Sequence, residues 1–145
     1  MIALVLLLLA TNLSYGILRC WIWNVPFLES ETFRLRKLSR TKEPRCLFQM
    51  DVPCNMTAIQ KSAHYTITFS KKPNNSCVID GGGHNQILCA CHQEDYCSSH
   101  CGYIVEIWKK SKAYKEGSET AKCMMAYERA CLNKEIRVGA TGGAL

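Results

Sequence analysis

The densest group of side chains able to do chemistry lies in the second half of the chain, where cysteines and histidines follow one another at short spacings. Its members are Cys89, Cys91, His92, Cys97, His100 and Cys101. Thiolates and imidazoles at comparable spacings ligate zinc. In an oxidising compartment, however, disulfide formation competes with metal binding for the same sulfurs. Because other features of the sequence indicate export, we predict disulfides and surface histidines here, with no metal and no cofactor.

A secreted phospholipase is the enzyme class to weigh, because such enzymes are small, rich in disulfides and often basic. Their chemistry uses a His–Asp pair beside paired cysteines and a glycine-rich calcium loop. His92 and Asp95 lie near cysteines, and residues 81–83 are glycines. However, aspartate does not directly follow His92, and the order of the cysteines differs. The Gly-x-Ser-x-Gly motif of serine hydrolases is also absent. We predict that the protein is not an enzyme.

The start of the chain has the character of a targeting signal, and the end does not. Residues 1–16 contain no Asp, Glu, Lys or Arg, and most of them are apolar. This run is shorter than the ~20 apolar residues of a membrane-spanning helix. It is typical of a secretory signal that is cut before Ile17. No later run approaches spanning length, and the small, Gly-rich residues 137–145 carry no lipid-anchor signal. We predict a secreted, extracellular protein with a flexible tail and no transmembrane segment.

Ten cysteines in 145 residues indicate a fold that is held together by disulfide bonds. We predict disulfides for Cys20, Cys46, Cys54, Cys77, Cys89, Cys91, Cys97, Cys101, Cys123 and Cys131. An even number allows five bridges and leaves no free thiol. Each bridge stabilises a fold by about 2–4 kcal/mol, which supplements a thin apolar core. Asn55 and Asn74 stand in acceptor sequons, so in an exported chain they are candidates for N-linked glycosylation.

The first hundred residues carry the signals of short strands, and we predict a cysteine-rich β domain over residues 17–101. The predicted strands cover residues 17–23, 46–50, 65–69, 77–80 and 86–89. They are apolar, aromatic or β-branched runs bounded by turn residues, and residues 65–69 alternate strictly. The last two runs flank a glycine-rich loop, which predicts a hairpin because glycine supplies the positive φ of tight turns. Trp21 and Trp23 share a strand face and are expected to be core residues or interface anchors, with the core favoured.

Helical periodicity follows, and we predict a helical hairpin over residues 102–136. Residues 103–116 place their large apolar side chains on one face and lysines around the rest. Gly117 is expected to end this helix. Ser118 is expected to cap a second helix over residues 121–132.

The second predicted helix constrains the pairing of its two cysteines. Cys123 and Cys131 are eight residues apart, which is about 12 Å along a helix axis. A disulfide needs Cα atoms within about 7 Å of each other. We therefore predict that each is bonded to a different partner upstream.

The cysteine spacing between Cys77 and Cys97, C-x11-C-x-C-x5-C, resembles the end of three-finger domains. That family contains snake toxins, Ly-6 proteins and activin-type receptor ectodomains. The opening Leu-Arg-Cys-Trp at residues 18–21 is similar to the family's Leu-x-Cys-aromatic start. The resemblance covers about half of the chain. It implies three β fingers and the bridges Cys77–Cys89 and Cys91–Cys97.

The chain also differs from that family. Ser98 follows the last cysteine of the pattern, where the family usually has asparagine, and three cysteines rather than four precede Cys77. The missing bridge partner is then one of Cys101, Cys123 and Cys131. The helical segment has no counterpart in the family.

Two basic stretches are candidates for contact with a partner. Residues 29–45 are predicted to form a long exposed loop or finger, and residues 109–115 carry four lysines on the first predicted helix. Clustered lysines and arginines attract polyanions such as sulfated glycans or anionic lipids. A net charge of +6 is moderate, however, and is also typical of an ordinary solvated surface. We do not expect nucleic acid as a partner in this compartment.

These patterns predict a small disulfide-rich, mainly β, three-finger-like fold with a C-terminal helical hairpin. We predict non-enzymatic binding of an extracellular protein, either a receptor or a ligand, through rigid loops that lose little entropy on binding. The predicted contact residues are Arg34, Arg36, Lys37, Arg40, Gly82 and His84, together with residues 60–64. One alternative is a basic effector that acts on sulfated glycans or membranes, and the other is the secreted hydrolase.

Overall fold

The computed structural model describes residues 16–23, 34–82 and 85–136 of the chain. The predictions for residues 1–15, His84 and the tail lie outside these residues. The strands are β1 (Ile17–Ile22), β2 (Arg34–Ser39), β3 (Arg45–Asp51), β4 (Ala63–Thr68), β5 (Ser76–Asp80) and β6 (Gln86–Cys91). The helices are α1 (Cys101–Lys109) and α2 (Glu119–Leu132). The described chain is therefore mainly β, with two helices at its C-terminal end.

The strands form two antiparallel sheets. In the smaller sheet β1 pairs with β2, with Ile17 opposite Ser39 and Ile22 opposite Arg34. The larger sheet has the strand order β4-β3-β6-β5. An isolated bridge between Trp23 and Tyr65 links the end of β1 to β4. Three successive antiparallel pairings, β1–β2, β3–β4 and β5–β6, thus account for all the described strands.

The five predicted strands are present, and the glycine-rich hairpin is confirmed by the pairing of β5 with β6. The loop interpretation of residues 29–45 is wrong for the described residues, whereas the alternative of a finger agrees with the pairing of β2 with β1. Residues Arg34–Ser39 form β2, and Arg45 lies in β3 with only 7% of its surface exposed. A run rich in arginine and lysine has little β propensity of its own. Its extended form is set by pairing with the more apolar β1.

Both predicted helices are present, but the first is shorter than its periodicity suggests. It ends at Lys109, whereas the pattern extended to residue 116. The Ser111 hydroxyl donates to the Trp108 carbonyl at 2.7 Å, which satisfies one of the carbonyls left open at a helix end. Gly117 lies in a later turn with φ of 73° and does not end the helix. Ser118 caps α2 as predicted, since its Oγ accepts the N–H of Ala121 at 3.1 Å.

The helices and the larger sheet share one hydrophobic core. Tyr127 of α2 lies at its centre. Its ring centroid is 4.7 Å from that of Phe48 on β3, and its hydroxyl is 2.7 Å from the hydroxyl of Tyr65 on β4. Burial raises the pKa of both phenols. The pair therefore stays neutral and hydrogen-bonded at neutral pH, and it joins α2 to two strands.

All ten cysteines are paired. The bridges are Cys20–Cys46, Cys54–Cys123, Cys77–Cys89, Cys91–Cys97 and Cys101–Cys131. The two bridges implied by the family resemblance are among them. Cys123 and Cys131 have different upstream partners, as their helical spacing predicted. Their bridges attach α2 to the β3–β4 connection and to the start of α1.

Candidate functional site

The histidine- and cysteine-rich segment has no thiolates available to ligate a metal, because each of its cysteines is in a disulfide. The described residues also contain no cluster of three His, Cys, Asp or Glu side chains placed to hold an ion. Burial lowers the pKa of His92, and the positive charges of Arg45 and Arg40 lower it further. The Asp95 carboxylate, which the hydrolase alternative would pair with His92, accepts hydrogen bonds from Arg19.

The β1–β2 hairpin carries six cationic side chains and no acidic one over residues 17–22 and 34–42. They are Arg19, Arg34, Arg36, Lys37, Arg40 and Lys42. One face of the hairpin is anchored in a small core by Leu18, Leu38 and the Cys20–Cys46 bridge. The hairpin is therefore fixed to β3 at one face, and its charges lie on a rigid support.

Cross-strand register places apolar and cationic residues side by side on the opposite face. Arg19 lies opposite Lys37, and Trp21 lies opposite Leu35. Residues directly opposite in an antiparallel pair share a face. Lys37 is exposed, and Leu35 is 42% exposed although it is a large apolar residue. The face thus combines an exposed apolar side chain with an adjacent positive charge.

The loop closed by the Cys91–Cys97 bridge holds the hairpin in place. Asp95 accepts hydrogen bonds from the backbone N–H of Arg19 and from its Nη1, both at 3.0 Å. The N–H of Tyr96 donates to the Arg19 carbonyl at 2.8 Å, and the Tyr96 ring stacks on Trp21 with centroids 5.4 Å apart. Arg40 donates to the His92 carbonyl at 2.8 Å. Arg19 and Arg40 therefore have structural roles.

The structure separates the predicted contact residues into different groups. Arg36 and Lys37 are exposed, and neither forms an ion pair with another described residue. Arg34 occupies the first position of β2. Gly82 lies beyond β5, where its N–H donates to the Asp80 carboxylate at 3.1 Å. Only part of the predicted set therefore shares the hairpin surface.

The interpretation of residues 60–64 as an exposed contact segment is wrong for Ser62 and His64, whereas Lys61 is exposed. Ser62 and His64 are buried, and His64 Nε2 lies 2.9 Å from the Asp51 carboxylate. The expected basic helix over residues 109–115 is also wrong. Lys109 and Lys110 pair with glutamates, and the remaining lysines follow the helix end. Charge content alone could not reveal which cations already have partners.

Sequence reasoning missed Leu35, Asp95 and Tyr96 as parts of this site. Leu35 stands between two arginines and was read as part of a loop. The contact between Arg19 and Asp95 spans 76 positions, so no local pattern could indicate it.

The two sequons lie at exposed positions in connections between strands. Asn55 Oδ1 accepts hydrogen bonds from the hydroxyl and N–H of Thr57 and from the N–H of Ala58, at 2.8, 3.1 and 3.0 Å. Asn74 Oδ1 lies 3.4 Å from Arg45 Nε. Glycosylation of Asn55 and Asn74 stays a prediction.

We expect Asp95→Ala to lower the free energy of unfolding by about 1–2 kcal/mol, because it removes a charge-assisted acceptor for two donors of Arg19. The loss stays in this range because the Arg19 and Asp95 side chains are 38% and 31% exposed and water screens their charges. Glu94→Ala, at an exposed neighbouring position, should change stability by less than about 0.5 kcal/mol. Urea unfolding of both variants measures the difference. Equal losses would contradict the role given to Asp95.

The fold and this surface define a small, disulfide-rich, mainly β protein with a cationic hairpin held at its base. The described helices are too short to cross a membrane. No family model, curated protein or solved structure matches the chain.

Proposed function

We propose that this protein is secreted and binds an acidic surface of an extracellular protein through the β1–β2 hairpin, without catalysing a reaction. The observation that carries the proposal is the exposure of Leu35 and Lys37 on one face of a hairpin that is held by a disulfide and by Asp95. Arg36 is also exposed, but it lies opposite Cys20 and therefore on the other face of the same strand. Protein interfaces combine apolar anchors with arginine. Complementary charge guides association and selects the partner.

The proposal includes a three-finger-like architecture, and the order of the strands along the chain supports it. Three hairpins follow one another along the chain, and the bridges Cys77–Cys89 and Cys91–Cys97 stand where the family resemblance expects them. Cys54, which lacks a partner among the earlier cysteines, bonds to Cys123 of α2. In this interpretation α2 supplies the fourth bridge, and rigid fingers present the contact residues.

A sulfated glycan is the alternative ligand for the same surface, because its charge would also complement Arg36 and Lys37. The exposed Leu35, which shares a strand face with Lys37, favours a protein, because a sulfated sugar offers little apolar surface to cover it. Binding to a glycan should also weaken steeply as ionic strength rises.

The proposal is tested by screening the secreted protein against an array of purified receptor and ligand ectodomains, with heparin as the glycan probe. We expect a binding ectodomain whose Kd rises about 100-fold in the double variant Arg36→Glu/Lys37→Glu, or about tenfold per reversed charge. Interferometry at physiological ionic strength gives the Kd values.

The matched control is Lys112→Glu/Lys115→Glu, which changes the net charge equally at exposed positions outside the hairpin. It should leave the affinity unchanged, and five intact disulfides in each variant verify folding. If both double variants weaken binding equally, the hairpin is not the contact surface. If the protein binds heparin but no ectodomain, the glycan replaces the protein partner.

A further inference from the structure

A groove of about 400 Å³ lies between the β3–β4 connection and α2. Residues 56–61 form one wall, and Ala126, Arg129 and Asn133 of α2 lie on the other. Trp23, which is almost fully buried, also lines it. Arg36 and Lys37 are not among its lining residues, so the groove is a surface separate from the contact residues of the hairpin.

This groove exposes one large apolar side chain, and two others are exposed on α2 outside its lining residues. Met56 lines it and is 58% exposed. Met125 and Leu132 of α2 are 41% and 77% exposed. They lie seven residues apart on one helix face, with Arg129 between them. The flexible side chain of a methionine such as Met56 adapts to varied apolar partners.

The charge of the groove is mainly positive. Lys61 and Arg129 line it, and neither has an ion-pair partner among the residues that the structure describes. The one acidic lining residue is Glu135, whose carboxylate accepts a hydrogen bond from Asn133 Nδ2 at 3.4 Å. Two unpaired cations beside apolar side chains complement a ligand with a carboxylate next to an apolar group.

Disulfides hold both walls of the groove at fixed positions. The Cys54–Cys123 bridge joins the segment before Met56 to the middle of α2. The Cys101–Cys131 bridge fixes the end of α2 that follows Arg129. A concavity held in this way is preformed, so binding costs little ordering of the protein itself.

We infer that this groove binds a peptide segment of a partner protein, with a large apolar side chain of the peptide among Met56, Ala126 and Ile136 and a peptide carboxylate paired with Lys61 and Arg129. The inference does not rest on the hairpin. It assigns the molecule a second contact surface of different chemistry.

The test selects short random peptides displayed on phage against the immobilised, full-length secreted protein. The selection is done before and after enzymatic removal of N-linked glycans, because the Asn55 sequon adjoins the groove. We expect enriched peptides that pair Asp or Glu with Leu, Phe or Trp. Their Kd should rise about tenfold in Arg129→Glu, through lost charge complementarity. It should rise similarly in Ala126→Trp, where the larger side chain occupies the groove.

The control variant is Arg36→Glu/Lys37→Glu, which should bind the selected peptides with unchanged Kd. The two proposals can therefore fail independently. Absence of ectodomain binding would not change peptide binding in the groove, and absence of peptide binding would not change ectodomain binding by the hairpin. Amide NMR shifts on adding a selected peptide should concentrate on residues 56–61 and on α2. Peptides without acidic residues, or equal affinity for Arg129→Glu, would overturn the inference. A dimer that Arg129→Glu dissociates would also overturn it, since a second copy would then occupy the groove.

Discussion

Replacing Cys54 and Cys123 together by alanine is expected to lower the free energy of unfolding by about 4 kcal/mol. Their bridge joins positions 69 residues apart, so its removal releases a large loop in the unfolded chain. It also removes the covalent link between the β3–β4 connection and α2. A loss of this size is a large fraction of the stability of a small domain, and urea unfolding under non-reducing conditions measures it.

Replacing Cys91 and Cys97 together by alanine is the matched control for loop length. Their bridge spans 6 positions, and the same entropy relation gives a loss of about 2 kcal/mol. Both variants remove the same kind and number of atoms. The difference between their free energies of unfolding therefore reports the entropy of loop closure. If both lose the same stability, the packing of the sulfur atoms rather than chain entropy determines their contribution, and the loop-closure account of the long bridge fails.

Tyr127→Ala is expected to lower the free energy of unfolding by about 3–5 kcal/mol, the range for removing a large buried aromatic side chain. Tyr127 is fully buried, and its ring and hydroxyl contact Phe48 and Tyr65 on two strands. The substitution leaves a cavity between α2 and the larger sheet. Because the disulfides still connect these elements, we expect a folded but destabilised protein. Chemical denaturation followed by circular dichroism measures the loss.

Two further tyrosine variants separate the causes of that loss. Tyr127→Phe keeps the ring and should cost about 1–2 kcal/mol for the hydrogen bond alone. Tyr114→Ala removes a tyrosine that is 41% exposed and contacts Trp108 at its edge, and it should cost about 1 kcal/mol. A loss in Tyr127→Phe as large as that in Tyr127→Ala would show that the hydroxyl, not the ring, stabilises the junction.

Several parts of the fold could be predicted from the sequence because neighbouring residues determine them. The alternation of large and small side chains predicted the strand that contains Tyr65, and the glycine-rich loop predicted the β5–β6 hairpin. Ser118 was recognised as a cap because its hydroxyl serves a backbone N–H only three residues away. The separate partners of Cys123 and Cys131 followed from the rise of a helix per residue. None of these inferences needed knowledge of a distant segment.

The end of the first helix shows where local periodicity is insufficient. Lysines and small apolar residues continued the pattern to residue 116, but the backbone turns after Lys109. Beyond that point few residues pack on the core, so burial no longer supports the helix. The length of a helix depends on the neighbouring surface against which it can be buried. The sequence of the helix itself carries no information about that surface.

Residue types and their spacing along the chain were enough to predict the disulfide-rich, mainly β construction, the two helical segments and the cationic character of the hairpin. Packing between distant segments decided that Arg34–Ser39 is a strand and that Arg19 is held by Asp95. It leaves Arg36 and Lys37 without an ion pair to any residue that the structure describes. It also decided that Cys54 meets α2 and thereby forms the groove. These outcomes depend on contacts between segments tens of residues apart. Whether a charge binds a partner or holds the fold together is set by the groups that packing brings opposite it.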